Sequence, residues 1–216
     1  MMPKLKSSHG CLRLAHGWRL INRPDVPEDI IRNFIRPAAR SVPYALAARL
    51  KSCRISLPTL LKDPALASQW VRTKDGLEIE VASEGIDGHD LAMELLLCLG
   101  QALWEGALPD ERKAYLKLLR AEIEAGVPGE IDQESLREKR SLFSCRASAR
   151  SRSRLEQYAR SSFAATVAEY VHCLWHDVTV RTGSEHLPAL WLRRRLELLA
   201  RWLPPDRGHR LFSSGP

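Results

Sequence analysis

Residues 88–105, GHDLAMELLLCLGQALWE, decide how the rest of the chain is read. The stretch contains no proline, runs well beyond strand length and is apolar around most of a helical circumference, which predicts an α-helix. At 100° per residue, Asp90, Glu94, Cys98, Gln101 and Glu105 fall along one narrow polar stripe. Leu91, Ala92, Met93, Leu95, Leu96, Leu97, Leu99, Leu103 and Trp104 cover the remainder. A helix this apolar belongs in a core, so its polar stripe is expected to face a cleft or a thin strip of solvent. His89 lies more than a quarter turn from Glu94 and is assigned to the N-terminal cap region.

Toward the N-terminus, PEDIIRNFIR (27–36) reads as a short helix closed by Pro37, and a second helix follows over about 43–51. SCRISL (52–57), ASQWVR (67–72) and GLEIEVA (76–82) read as strands. The last two are joined at Thr73 to Gly76, where Asp75-Gly76 is a hairpin signal. Alternation of Leu77, Ile79 and Val81 with Glu78 and Glu80 gives the third strand one buried and one wet face. Toward the C-terminus the pattern is helical, over roughly 110–125, 132–143, 154–180 and 186–203. The breaks fall at Pro109, at Gly126-Val127-Pro128-Gly129 and at Gly183. SCRASARSRSR (144–154) has four Ser and four Arg and almost nothing to bury, which predicts a flexible, solvated loop. The expected organisation is a basic N-terminal arm (1–24), one α+β domain (25–204) and an irregular tail (205–216). Its small sheet is expected to be mainly antiparallel and to precede a helical bundle.

The 216 residues, 44% hydrophobic and 27% charged, have the composition of an ordinary globular domain. No run approaches the ~18 consecutive apolar residues of a membrane span, and the N-terminus lacks the apolar block of a secretory signal. The five cysteines are scattered and form no Cys-x-x-Cys pair, which points to a reducing cytoplasm and to neither a disulfide framework nor a zinc ribbon. Cys98 and Cys173 fall inside helical patterns as small buried hydrophobes. The net charge of +7 is uneven. Residues 1–50 carry nine Lys/Arg against three Asp/Glu, residues 51–140 twelve against seventeen, and residues 141–216 twelve against six. An acidic middle between basic ends can satisfy itself internally, so the basic balance is no direct pointer to nucleic acid. No phosphate-binding glycine loop, dinucleotide fingerprint or nucleophile elbow occurs.

A second chemistry-bearing stretch is SSFAATVAEYVHCLWHDV (161–178). Phe163, Val167, Tyr170, Val171, Leu174 and Val178 share one helical face. Glu169, His172 and His176 share the opposite face with the small Ala165, at a spacing able to present three metal-ligand groups from adjacent turns.

Together these stretches resemble the gluzincin-type metallopeptidases over roughly residues 43–180: a helix, a small sheet ending in GLEIEVA, the Glu94 helix, then a helix centred on Glu169. In the HExxHxxG pattern two His bind zinc and the Glu activates water. Here Met93-Glu94-Leu95-Leu96-Leu97-Cys98-Leu99-Gly100 keeps the Glu and the Gly, and Glu169 matches the glutamate ligand by order. Met93 and Leu97 stand where the imidazoles would be. The resemblance implies a zincin-like fold in which Glu94 is a vestigial general base, because zinc needs about three protein ligands to generate hydroxide near neutral pH.

The expected function is therefore a non-catalytic, protein- or peptide-binding module with no cofactor. One alternative is a metal-dependent hydrolase whose site, with zinc as its ion, is reassembled from Glu94, Glu169, His172 and His176. Another is nucleic-acid binding through the basic arm, the Ser/Arg loop and the last helix. In HLPALWLRRRLELLARWL (186–203), Leu192, Leu196, Leu199 and Leu203 form one face and Arg193, Arg194 and Arg201 lie opposite. That helix is expected to dock on the domain rather than on a membrane, with its arginines in water.

Overall fold

A five-stranded sheet and a helical layer on one of its faces form the scaffold. The structure is a computed structural model that describes residues 10–143, 149–176, 183–209 and 211. In chain order the elements are β1 (Leu12–Arg13), β2 (Arg19–Asn22), α1 (Glu28–Ile30), α2 (Arg36–Ser41), α3 (Tyr44–Leu50), β3 (Ser52–Ser56), β4 (Ser68–Arg72) and β5 (Gly76–Val81). Then follow α4 (Gly88–Glu105), α5 (Pro109–Glu124), α6 (Gln133–Phe143), α7 (Ala149–Cys173) and α8 (Ala189–Trp202). The α+β class expected from the sequence is the class observed.

Strand order is β1-β2-β3-β5-β4. The expectation of a mainly antiparallel sheet is corrected: β1–β2 and β4–β5 are antiparallel, but β2–β3 and β3–β5 are parallel. The reason lies in the connections. Between β2 and β3 the chain crosses through α1, α2 and α3, and such a crossover returns a strand in the same direction. The β4–β5 hairpin then inserts β5 beside β3 and leaves β4 at the edge. Gly76 opens β5 at a φ of +152°, and a Cβ there would overlap the Ser52 carbonyl, so this position accepts only glycine.

Leu20, Ile55, Leu77, Ile79 and Val81 of the sheet are fully buried beneath helices, while Arg19, Arg54 and Glu78 on the opposite face are exposed. The resulting two-layer arrangement explains the alternation in β5.

Four further expectations are corrected. The basic arm assigned to residues 1–24 is in part a structural element. Residues 12–13 and 19–22 are strands, and Trp18 is completely buried with its Nε1–H donating to the Lys51 carbonyl at 3.1 Å. Residues 1–9 lie outside the described residues. Pro37 does not end its helix: α1 continues through a π-helical turn at Ile31–Ile35 into α2, and Pro37 occupies the first turn of α2. A proline that lacks an N–H is tolerated where the hydrogen-bond register changes. The Ser/Arg loop placed at 144–154 is helical from Ala149 onward, within α7; residues 144–148 lie outside the described residues. At its other end α7 stops at Cys173, short of the expected 180.

Among the described residues no single helix is long and apolar enough to cross a membrane.

Candidate functional site

Helix α4 is held on three sides. Its start is capped by Asp87, whose carboxylate accepts from the Asp90 backbone N–H at 2.8 Å. Its broad apolar face, including Leu91, Leu95, Leu96 and Leu99, is buried in the core. The middle of its polar stripe faces the edge strand β4, where the Ser68 hydroxyl donates to Glu94 Oε2 at 2.8 Å and Trp70 Nε1–H donates to Gln101 Oε1 at 2.9 Å, while Asp90 and Glu105 at its ends are exposed. Cys98, on the same stripe, is fully buried, and desolvation pushes its thiol up to about 12.

The third side packs antiparallel against α7. Gly100 lies so near Ala164 that a Cβ on Gly100 would come within 2.7 Å of the Ala164 Cα. At that end the two backbones touch. Toward the N-terminus of α4 they part around a cavity of about 290 Å³, into which Met93 and Leu97 of α4 and Ala165, Ala168, Glu169 and His172 of α7 project. Met93 and Leu97 are only half-buried, whereas the leucines of the core face are sealed. The two positions where the zincin pattern has histidine therefore share one cavity with Glu169. Glu94, one position on from Met93, does not line it.

The far wall comes from the segment before α6 and from residues 185–187. These run together through the Glu130 N–H to the Glu185 carbonyl (3.0 Å) and the Leu187 N–H to the Glu130 carbonyl (3.1 Å). Asp132 caps α6 by accepting from the Ser135 N–H at 2.7 Å. Burial pushes its carboxyl above the usual range, more than its hydrogen bonds to Ser135 pull it down.

His89, which the helical wheel placed away from Glu94 and in the cap region, lines this cavity. Its Nε2 is 3.1 Å from Nε2 of His172, with ring centroids 5.0 Å apart. His89 Nδ1 stands 3.4 Å from Asp90 Oδ1, and His172 Nδ1 stands 3.8 Å from Glu169 Oε2. His176 lies on the bend beyond α7, its ring centroid 5.4 Å from that of His172 and 6.4 Å from that of His89. Of the four residues proposed from sequence as a metal set, Glu169 and His172 meet in the cavity, His176 flanks it, and Glu94 is bonded to Ser68 instead. His89 was legible after all: it precedes Met93 and Leu97 at four-residue steps, on the same face of α4.

No protein-family model, no curated protein and no solved structure matches this chain.

Beside the cavity lies a second charged group, absent from the sequence reading. Arg195 of α8 is fully buried, with Nε donating to Glu122 Oε1 at 2.9 Å and its terminal nitrogens donating to both oxygens of Glu130 at 2.8 Å and to the Ser162 hydroxyl at 2.7 Å. Tyr158 donates to Glu130, and Lys139 reaches Glu130 at 3.4 Å and the Gly129 carbonyl at 2.8 Å. Burial opposes ionisation of Glu130, but Arg195 and Lys139 outweigh it and hold the carboxyl below the usual range. The neighbouring Arg193 and Arg194 are exposed, one bonded to Glu197 at 2.8 Å and the other stacked over Trp191 at 4.3 Å.

Proposed function

We propose that this chain is a zincin-like scaffold without peptidase chemistry, whose cleft holds an extended peptide. The observation that carries the reading is the shared cavity of Met93, Leu97 and Glu169, with β4 alongside α4 at the open edge of the sheet. A thioether and an isobutyl group offer zinc no nitrogen, so the donor set of the resembled family does not fit zinc at these positions. Glu94, bonded to Ser68 and outside the cavity lining, is not placed to act there as the resembled family's general base. What remains is a concave site with an apolar floor between α4 and α7, with β4 packed on a neighbouring side of α4.

The edge is suited to strand addition. The Ala82 N–H donates to the Ala67 carbonyl and the Thr73 N–H to the Gly76 carbonyl. Antiparallel pairs alternate in hydrogen bonding, so Gln69 and Val71 bond inward to β5, while the backbone groups of Ser68, Trp70 and Arg72 point to the open side. An incoming peptide would bond to those three residues and place an apolar side chain over Met93 and Leu97.

Selection from a random peptide library, followed by fluorescence anisotropy with the purified chain, tests this. Wild-type protein is expected to enrich apolar extended sequences and to cleave none of them, and Met93→Lys, which puts an ammonium in the cavity floor, is expected to weaken binding at least tenfold. Cleavage of library peptides, or a selection with no enrichment, would overturn the reading.

A further inference from the structure

We infer that His89 and His172 form the core of a binding site for a first-row divalent metal ion such as Zn²⁺, at the rim of the α4–α7 cavity and distinct from the positions of Met93 and Leu97. Three independent features of the geometry converge on it.

The first is spacing. Two nitrogens bound to one tetrahedral zinc at about 2.0–2.1 Å stand roughly 3.3–3.4 Å apart. The two Nε2 atoms are 3.1 Å apart. Little movement separates this pair from a ligating one.

The second is what stands behind each ring. His89 Nδ1 faces the Asp90 carboxylate and His172 Nδ1 faces the Glu169 carboxylate, at 3.4 and 3.8 Å. A carboxylate at Nδ1 favours the tautomer that carries its proton there and leaves the Nε2 lone pair outward, the arrangement found behind metal-bound imidazoles. Behind His89 the contact is within hydrogen-bond reach, and behind His172 the carboxylate stands just beyond it. The two Nε2 atoms face each other closely enough to share one ring's proton in a hydrogen bond or to hold one cation between them.

The third is charge. Among the described residues, those lining the cavity include no Lys or Arg, although the chain carries a net +7. Asp90, Asp132, Glu169 and Glu185 line it, the last paired with Arg140 at 2.8 Å. His172 sits in the last turn of α7, where the carbonyl ends of the helix also favour positive charge. The field of this wall attracts a cation and repels an anion.

His176 supplies a third imidazole. It is exposed on the bend after α7, and a swing of its ring toward the pair brings its nitrogen into reach. Imidazole-rich sets suit Zn²⁺, Ni²⁺ and Cu²⁺ over Mg²⁺ or Ca²⁺, which prefer all-oxygen ligands. The inference does not depend on peptide binding, and its test contains no peptide.

The experiment is calorimetric titration of Zn²⁺ into untagged, chelator-washed protein, with Co²⁺ absorption in parallel. The expected result is one equivalent of Zn²⁺ bound by wild type, with affinity reduced at least tenfold in His89→Gln and in His172→Gln. His186→Gln, which alters the opposite wall of the cavity, is expected to bind as wild type does. Co²⁺ should give the intense visible bands of tetrahedral nitrogen and oxygen ligation in wild-type protein, a readout that survives even if a variant fails to fold. Absence of stoichiometric Zn²⁺ binding, undiminished binding in both His→Gln variants, or a pale octahedral Co²⁺ spectrum would each overturn the assignment.

Discussion

Two groups of charged side chains lie on either side of residue 130, and they are built on opposite plans. Around Arg195 every charge has a matched partner: two carboxylates face a guanidinium and an ammonium, with Tyr158 and Ser162 taking up further hydrogen bonds. Arg195, Glu122 and Glu130 are sealed from solvent. At the cavity rim, His89 and His172 meet each other and carboxylates, the lining contains no strong cation among the described residues, and the cavity is open. Closed, balanced charge fixes a fold, because every alternative packing would strand an ion in the interior. Open, unbalanced charge does little for the fold and is suited to a ligand.

That division has measurable consequences. The largest is expected from Arg195→Leu, which leaves Glu122 and Glu130 buried without their guanidinium. Unfolding in urea should show a loss of about 3–5 kcal/mol, and a loss under about 1 kcal/mol would break the comparison on its structural side. Next is Gly100→Ala. The added methyl must push α4 away from the Ala164 backbone, for an expected cost of about 1–3 kcal/mol in the same measurement.

A smaller effect is expected at the Arg49–Glu111 pair, bidentate at 2.8 and 2.7 Å. Burial raises the Glu111 carboxyl, but Arg49 and the Leu108 N–H together hold it below its ordinary 4.5. Its stabilisation is complete above that pH and is lost as pH falls through the depressed value. Arg49→Met should therefore cost up to about 1 kcal/mol at neutral pH and flatten the acid limb of a stability–pH profile.

The smallest effect sharpens the other side of the comparison. His89→Ala should leave metal-free stability within about 0.5 kcal/mol of wild type. A loss comparable to that of Arg195→Leu would show that the histidine pair is a structural device.

Much of this was legible in the sequence, and the failures have physical causes. The α4 helix followed from a long proline-free apolar run, the β4–β5 hairpin from Asp75-Gly76, and the two-sided pattern of β5 from the period-two trace that one wet face and one dry face leave. Parallel pairing of β2 with β3 was hidden, because orientation depends on the crossover between the strands rather than on either strand. The N-terminal strands were taken for a basic arm because Leu12–Arg13 and Arg19–Asn22 are too short for a period to register. At the site, Met93, Leu97, Glu169 and His172 were all singled out. His89 was set aside because its angle was measured from Glu94 and not from Met93. Arg195 carried a signal that went unread: it lies three residues after Leu192 and four before Leu199, on the apolar face, where an arginine requires buried carboxylates.

Arg195 also constrains the order of events during synthesis. Its partners Glu122 and Glu130 leave the ribosome 73 and 65 residues earlier, and until α8 follows them they have no guanidinium to meet. A nascent chain halted before Ala189 should therefore keep α5 and the Glu130 segment loosely held and open to proteases, with the helical layer locking only when the last helix arrives. In this molecule a single late-emerging cation acts as the latch of the finished domain.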